Sequence, residues 1–201
     1  MLHLGTVGAN IQTAVTADGQ IFLGAIVGGQ PRFTLAGARD EATMVLHDDR
    51  RVVRAPAGAI VEALIGTAIG PEEWLAFVTG CVTRSHDITE SARIGKYLRI
   101  TTRDGRAYLQ RQAGTWRVRG GEVNGLIVDY EWQASSLPAV LRARSAPGGA
   151  VKTKISLEAG QFRVNDDVAA ALFAPPRAAA SASPMTLAEL REAGPLGRGK
   201  E

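Results

Sequence analysis

The run Gly194-Pro195-Leu196-Gly197-Arg198-Gly199-Lys200 has the spacing of a phosphate-binding loop, G-x-x-x-x-G-K. That chemistry needs a strand before the loop, a helix N-terminus after it and a hydroxyl to hold magnesium. The next residue is Glu201, with no hydroxyl, and the match is read as coincidence. His47 beside Asp48 and Asp49 has the donor types of a metal site, but His3, His47 and His86 share no ligand spacing with one another or with Cys81. A hairpin turn accounts for His47-Asp48-Asp49 more simply. Cys81 is the only cysteine, so no intrachain disulfide can form; after Gly80 at the end of an apolar helix it reads as a buried structural thiol. Asp166-Asp167 before Val168-Ala169-Ala170-Ala171-Leu172 reads as a helix N-cap rather than a catalytic pair. No G-x-S-x-G, no paired cysteines and no H-E-x-x-H occur. No catalytic residue, metal ligand or cofactor is assigned.

The elements that would position any site are mostly strands. In Leu126-Ile127-Val128-Asp129-Tyr130-Glu131-Trp132 the apolar residues fall on every second position, with Asp129 and Glu131 opposite. Val151 to Glu158 repeats the pattern, with Val151, Ile155 and Leu157 on one face. Strand side chains alternate between faces, so these segments predict an antiparallel sheet with one wet and one apolar side. Further strands are expected at Ile21–Val27, Arg32–Ala36, Glu41–His47, Arg51–Arg54, Tyr97–Thr102, Arg106–Gln110 and Thr115–Arg119. Asp104-Gly105 and Ala113-Gly114 are hairpin turns. Two apolar helices interrupt the strands, at 57–67 and, after Gly70-Pro71, at 71–79, where Gly80 is the stop.

A chain of 201 residues, 45% hydrophobic and 21% charged, is an ordinary globular protein. No apolar run approaches the roughly 18 residues of a membrane helix. Met1-Leu2-His3-Leu4-Gly5 has no basic n-region followed by an apolar stretch, so no signal peptide is read there. The net charge of +3 comes largely from arginine. Arg111, Arg117, Arg119, Arg142 and Arg144 alternate with apolar residues and read as the solvated side of a half-buried sheet, with no nucleic acid expected. Residues 177–201, rich in Ala, Ser and Pro, read as a mobile tail with a short helix at 185–193, in which Leu187 and Leu190 are the exception, placed to dock on the sheet's outside or to cover an edge strand.

The order of these pieces carries a resemblance. Several strands, two apolar helices ending in Thr79-Gly80-Cys81, strands closing with Leu137-Pro138 and Val164-Asn165, and a final Phe173-Ala174-Pro175-Pro176 are similar to the LolA/LolB superfamily. Its members are carriers and receptors of lipoproteins in the Gram-negative envelope. The resemblance covers about residues 20–176. It implies a mainly β fold with α (α+β): an unclosed, strongly curved antiparallel barrel, one domain over 1–176, with helices covering its concave mouth. The family's usual opening, a signal peptide, a helix and a first strand, is expected to be missing here. The implied function is non-enzymatic binding of acyl chains of lipoproteins or lipids, by a monomer of the cell envelope with peripheral membrane contact. The expected lipid-binding residues are Trp116, Val118, Leu126, Val128, Tyr130, Trp132, Val151 and Ile155, with Ile60, Leu64 and Trp74 reaching them from the helices. The alternative is a structural or assembly module whose barrel is filled by its own side chains and which acts through its basic face. A smaller share goes to a hydrolase without a visible motif.

Overall fold

The computed structural model describes residues 9–82, 87–133, 137–145, 154–158 and 168–193. In chain order the elements are β1 (Asn10–Val15), β2 (Gln20–Val27), β3 (Gln30–Ala38), β4 (Ala42–Leu46), β5 (Arg51–Ala55), α1 (Ala57–Ile65) and α2 (Pro71–Thr79). There follow β6 (Ile88–Ile94), β7 (Tyr97–Thr102), β8 (Gly105–Gln112), β9 (Thr115–Val123), β10 (Leu126–Trp132), β11 (Pro138–Ser145) and β12 (Lys154–Glu158). Two short 3₁₀ turns (Ala170–Leu172 and Arg177–Ala180), β13 (Ser183–Pro184) and α3 (Leu187–Ala193) come last. The protein is mainly β with helices, and among the described residues neither sheet closes into a barrel. Among the described residues no helix is long and apolar enough to cross a membrane.

The chain forms two compact units, Met1–Pro71 with Asp167–Glu201, and Glu72–Asp166. The expected single sheet of about nine or ten strands is corrected to one sheet in each unit, of six and seven strands. Strand periodicity is identical in the two and carries no mark of which sheet a strand joins.

In the first unit β1 to β5 form an antiparallel meander, and β13 adds to β5 in parallel. All five residues of β4 are buried. Met44 belongs to the inner core with Ile21 and Leu35, each at 0% exposure, while Val45 and Val52 pack against Ala179. Pro56 stands before α1, and Gly66 ends it in the left-handed region at φ 76°, two residues short of the expected end. Residues 177–193, expected as an outlying tail apart from Leu187 and Leu190, lie against the sheet of the first unit. The small residues of the 3₁₀ turn at 177–180 fit close against β4 and β5, and Leu190 of α3 is fully buried. Thr186 and Glu189 form a capping box. The Thr186 backbone N–H donates to Glu189 Oε2 at 2.7 Å, and the Glu189 N–H donates to Thr186 Oγ1 at 3.2 Å.

In the second unit β6 to β12 form an unbroken antiparallel meander. The helix α2 spans the expected residues, with Pro71 at its start and Glu72 and Glu73 in its first turn, where carboxylates suit the helix dipole. It ends in a Schellman turn: the Gly80 N–H donates to the Phe77 carbonyl at 3.2 Å and the Cys81 N–H to the Ala76 carbonyl at 2.7 Å.

Candidate functional site

From β7 to β11 one face of the seven-stranded sheet carries an apolar stretch, bordered by Ser91 and Arg93 on the edge strand β6 and by Arg111 opposite Trp116. Cross-strand partners share a face, and one row runs Ile100, Ala107, Gly121, Val128, Ala143, continuing by register to Ile155. The next row holds Leu98, Leu109 and Val118. Strict alternation along β9 would put Val118 on the face opposite Gly121. Leu109 pairs with Val118 while Tyr108 pairs with Gly120, so Arg119 is an extra residue. This bulge returns Val118 and Trp116 to the apolar face.

The face is covered over one part and open over another. Leu126, Val128 and Tyr130 are at 0–1% exposure. Phe77 and Val82 are also buried, and a Cβ on Gly121 would lie 2.6 Å from a Val82 methyl, so Val82 sits directly on this row. A Cβ on Gly80 would lie 2.7 Å from the Trp132 ring, which fixes that close approach as well as the turn at φ 81°. Trp132 donates its indole N–H to the Val118 carbonyl at 2.5 Å, and its ring lies 6.3 Å from that of Tyr130. Toward β7 the cover ends. Leu98, Ile100, Leu109 and Val118 are half-buried, and Trp116 at the hairpin end is 49% exposed.

Trp116, Val118, Leu126, Val128, Tyr130 and Trp132 are thus brought onto one face of one sheet. Trp74, half-buried, belongs to the same unit through α2, whereas Ile60 and Leu64 lie in the first unit on α1, which packs with β4, β5 and α3. Val151 lies outside the described residues, and Ile155 is placed by its strand register alone. Leu98, Ile100 and Leu109 were not among the expected residues. In β7 the alternation signal was visible in Leu98 and Ile100, separated by Arg99.

The polar candidates resolve into structure. His47 Nε2 is 2.9 Å from Thr34 Oγ1, and Asp48 forms an ion pair with Arg32 across the hairpin. Cys81, expected to be buried, is exposed: the Schellman turn leaves the thiol at the surface and buries Val82 instead. Asp166-Asp167, His3, His86 and 194–200 lie outside the described residues. Among the described residues no three His, Cys, Asp or Glu side chains gather where they could hold a metal ion. The Tyr130 hydroxyl is buried with no hydrogen-bond partner among them. Burial, with the Cys81 thiol adding to it, raises its pKa above the ordinary phenol value. A cleft of about 370 Å³ lies in the same unit, with Ala76, Phe77, Val82 and Val123 as its apolar wall and Glu73, Arg103, Asp104 and Asn124 at its rim.

The chain matches no family model, no curated protein and no solved structure.

Proposed function

We propose that this protein is a non-enzymatic binder of acyl chains of lipoproteins or lipids, acting in lipoprotein localisation or lipid handling in the cell envelope. The observation that carries the reading is the continuity of the apolar face. Its covered part, at Val128 and Tyr130, runs without a polar break into the half-buried Leu98, Ile100, Leu109 and Val118. An acyl chain needs contact area and no hydrogen-bonding site. Each methylene removed from water contributes roughly 0.8 kcal/mol, so a long chain offers on the order of 10 kcal/mol before ordering costs. With this reading go an unclosed half-barrel formed by the seven-stranded sheet with α2 at its mouth, a monomeric state and an envelope location.

Uptake of a fluorescent fatty acyl probe tests it. Leu109→Asp and Val118→Asp place a charge on the open part of the face and are expected to lower probe affinity by on the order of 10-fold or more. Unchanged uptake in folded variants would overturn the site, and turnover of ester substrates would overturn the non-enzymatic reading.

The second reading, a structural or assembly module, is favoured by the complete enclosure of Leu126 and Val128 by the chain's own side chains. A wild-type chain that takes up no probe would leave this reading standing.

A further inference from the structure

Two hairpin tips at one end of the seven-stranded sheet combine exposed apolar side chains with unbalanced positive charge. Alternate turns of an antiparallel meander fall at the same end, so the β6–β7 turn at Gly95-Lys96 and the β8–β9 turn at Ala113-Gly114 lie together. The end of β10 joins them, since Arg117 stands over the Trp132 ring at 5.0 Å. Ile94 is 47% exposed and Trp116 49%. A Cβ added to Gly95 or Gly114 would meet no atom within 4 Å, so both turns project into open space. Residues 92–98 and 109–119 hold Arg93, Lys96, Arg111, Arg117 and Arg119 and neither Asp nor Glu, and the end of β10 adds one acidic group, Glu131, which pairs with Arg142. The chain as a whole is nearly balanced, with 23 basic and 20 acidic residues.

We propose that this end is a docking surface for an anionic lipid bilayer. Tryptophan and tyrosine favour the headgroup level, where an amphipathic ring meets both media, and an aliphatic tip gains by entering the acyl boundary. Lys96 has its ammonium 5.3 Å from the centroid of the Tyr97 ring, an arrangement that keeps the charge beside an interfacial aromatic. Each Lys or Arg near the surface is drawn by anionic headgroups over about a Debye length. Single-stranded nucleic acid also takes basic and aromatic side chains, but it needs ring faces in series along a groove. An exposed Ile94 offers a base nothing, and it offers a bilayer an insertion point. The open part of the acyl-binding face ends at Trp116, so docking brings that opening to the membrane. That last consequence rests on the function proposed above, and the docking itself does not.

The test is sedimentation of the full chain with vesicles of phosphatidylcholine, alone or mixed with phosphatidylglycerol, at low and high salt. Binding is expected only to the anionic vesicles, weakening as salt rises. The double variant K96E/R111E should lower partitioning by about 10-fold or more. The variant I94S/W116S should lower it too and remove the blue shift of tryptophan emission, with melting unchanged because both side chains are exposed. The proposal is overturned if anionic vesicles do not bind the chain, if neither variant weakens binding, or if single-stranded nucleic acid is retained more tightly than vesicles through the same residues. Acyl-probe uptake measured without vesicles separates the two proposals: docking without uptake keeps the surface and removes the acyl-binding reading.

Discussion

Arg51 on β5 and Glu189 on α3 meet across 138 positions of sequence, with Nη2 2.9 Å from Oε1. The same guanidinium nitrogen donates to the Pro184 carbonyl at 3.1 Å, and Met185 donates its N–H to the Val52 carbonyl at 2.8 Å. One arginine therefore holds the C-terminal segment against the edge of the six-stranded sheet, at both β13 and α3. Covering that edge removes a template for unwanted strand pairing.

The first prediction concerns pH. The Thr186 backbone N–H and then the Arg51 guanidinium hold the Glu189 carboxyl at about 2, below its ordinary value. A depressed folded pKa contributes stability above the unfolded value, roughly 4.3, and that stability is lost as pH falls through the folded value. Glu189→Gln should lower the melting temperature at pH 6, and the gap to wild type should close as the pH approaches 2. A gap independent of pH would mean that the carboxylate charge does not hold α3.

The second prediction separates packing from capping in the same segment. Leu190→Ala removes a fully buried side chain and should cost about 2–5 kcal/mol in urea unfolding. Thr186→Ala removes only the cap and should cost about 1 kcal/mol. Cutting the chain after Pro176 should lower melting temperature or solubility, since it removes Ala179 and Leu190 from buried positions and uncovers β5. An unchanged melting curve and solubility would show that the segment is dispensable.

Much of this fold was legible in the residues. Asp48-Asp49, Asp104-Gly105, Ala113-Gly114 and Gly80 are local signals, and each lies in or beside a turn or helix end. Ala113 and Gly114, at φ 47° and 84°, have the left-handed pair that a two-residue hairpin favours. The strand β6 was not legible. Ile88-Thr89-Glu90-Ser91-Ala92-Arg93-Ile94 is an exposed edge strand with no face to bury, so period two never developed. In the C-terminal segment the short helix was legible, at 185–193 against the observed Leu187–Ala193, whereas the turn at 177–180 was hidden because Ala looks like linker until it meets Val45 and Val52. In the candidate site, alternation showed the Leu126–Trp132 face. The placement of Val118 beside it depends on the Arg119 bulge, a cross-strand property that one strand's sequence does not contain.

The third prediction concerns the cover of the apolar face. Gly80 has φ 81°, and a methyl group there would meet both Trp132 and the Pro138 ring within 3 Å. Gly80→Ala should cost well above about 1 kcal/mol, because backbone strain and the clash act together. It should also shift tryptophan emission by displacing Trp132 from the Val118 carbonyl. An unaltered spectrum and stability would mean that this approach is not tight in solution.

The fourth prediction turns on the Tyr130 hydroxyl. A buried tyrosine normally loses about 1 kcal/mol on conversion to phenylalanine, because its hydrogen bond is lost. Tyr130 is 1% exposed, and its hydroxyl has no partner among the described residues. An unsatisfied buried hydroxyl costs about 1–3 kcal/mol of desolvation, so its removal should reverse the usual sign. Tyr130→Phe is therefore expected to raise stability in urea unfolding, by up to about 1 kcal/mol after losses in packing. A destabilised variant would mean that the hydroxyl is hydrogen-bonded in solution, with a buried water as the natural partner. The apolar face would then carry one hydrated polar point at its covered end, and an acyl chain would have to stop short of it.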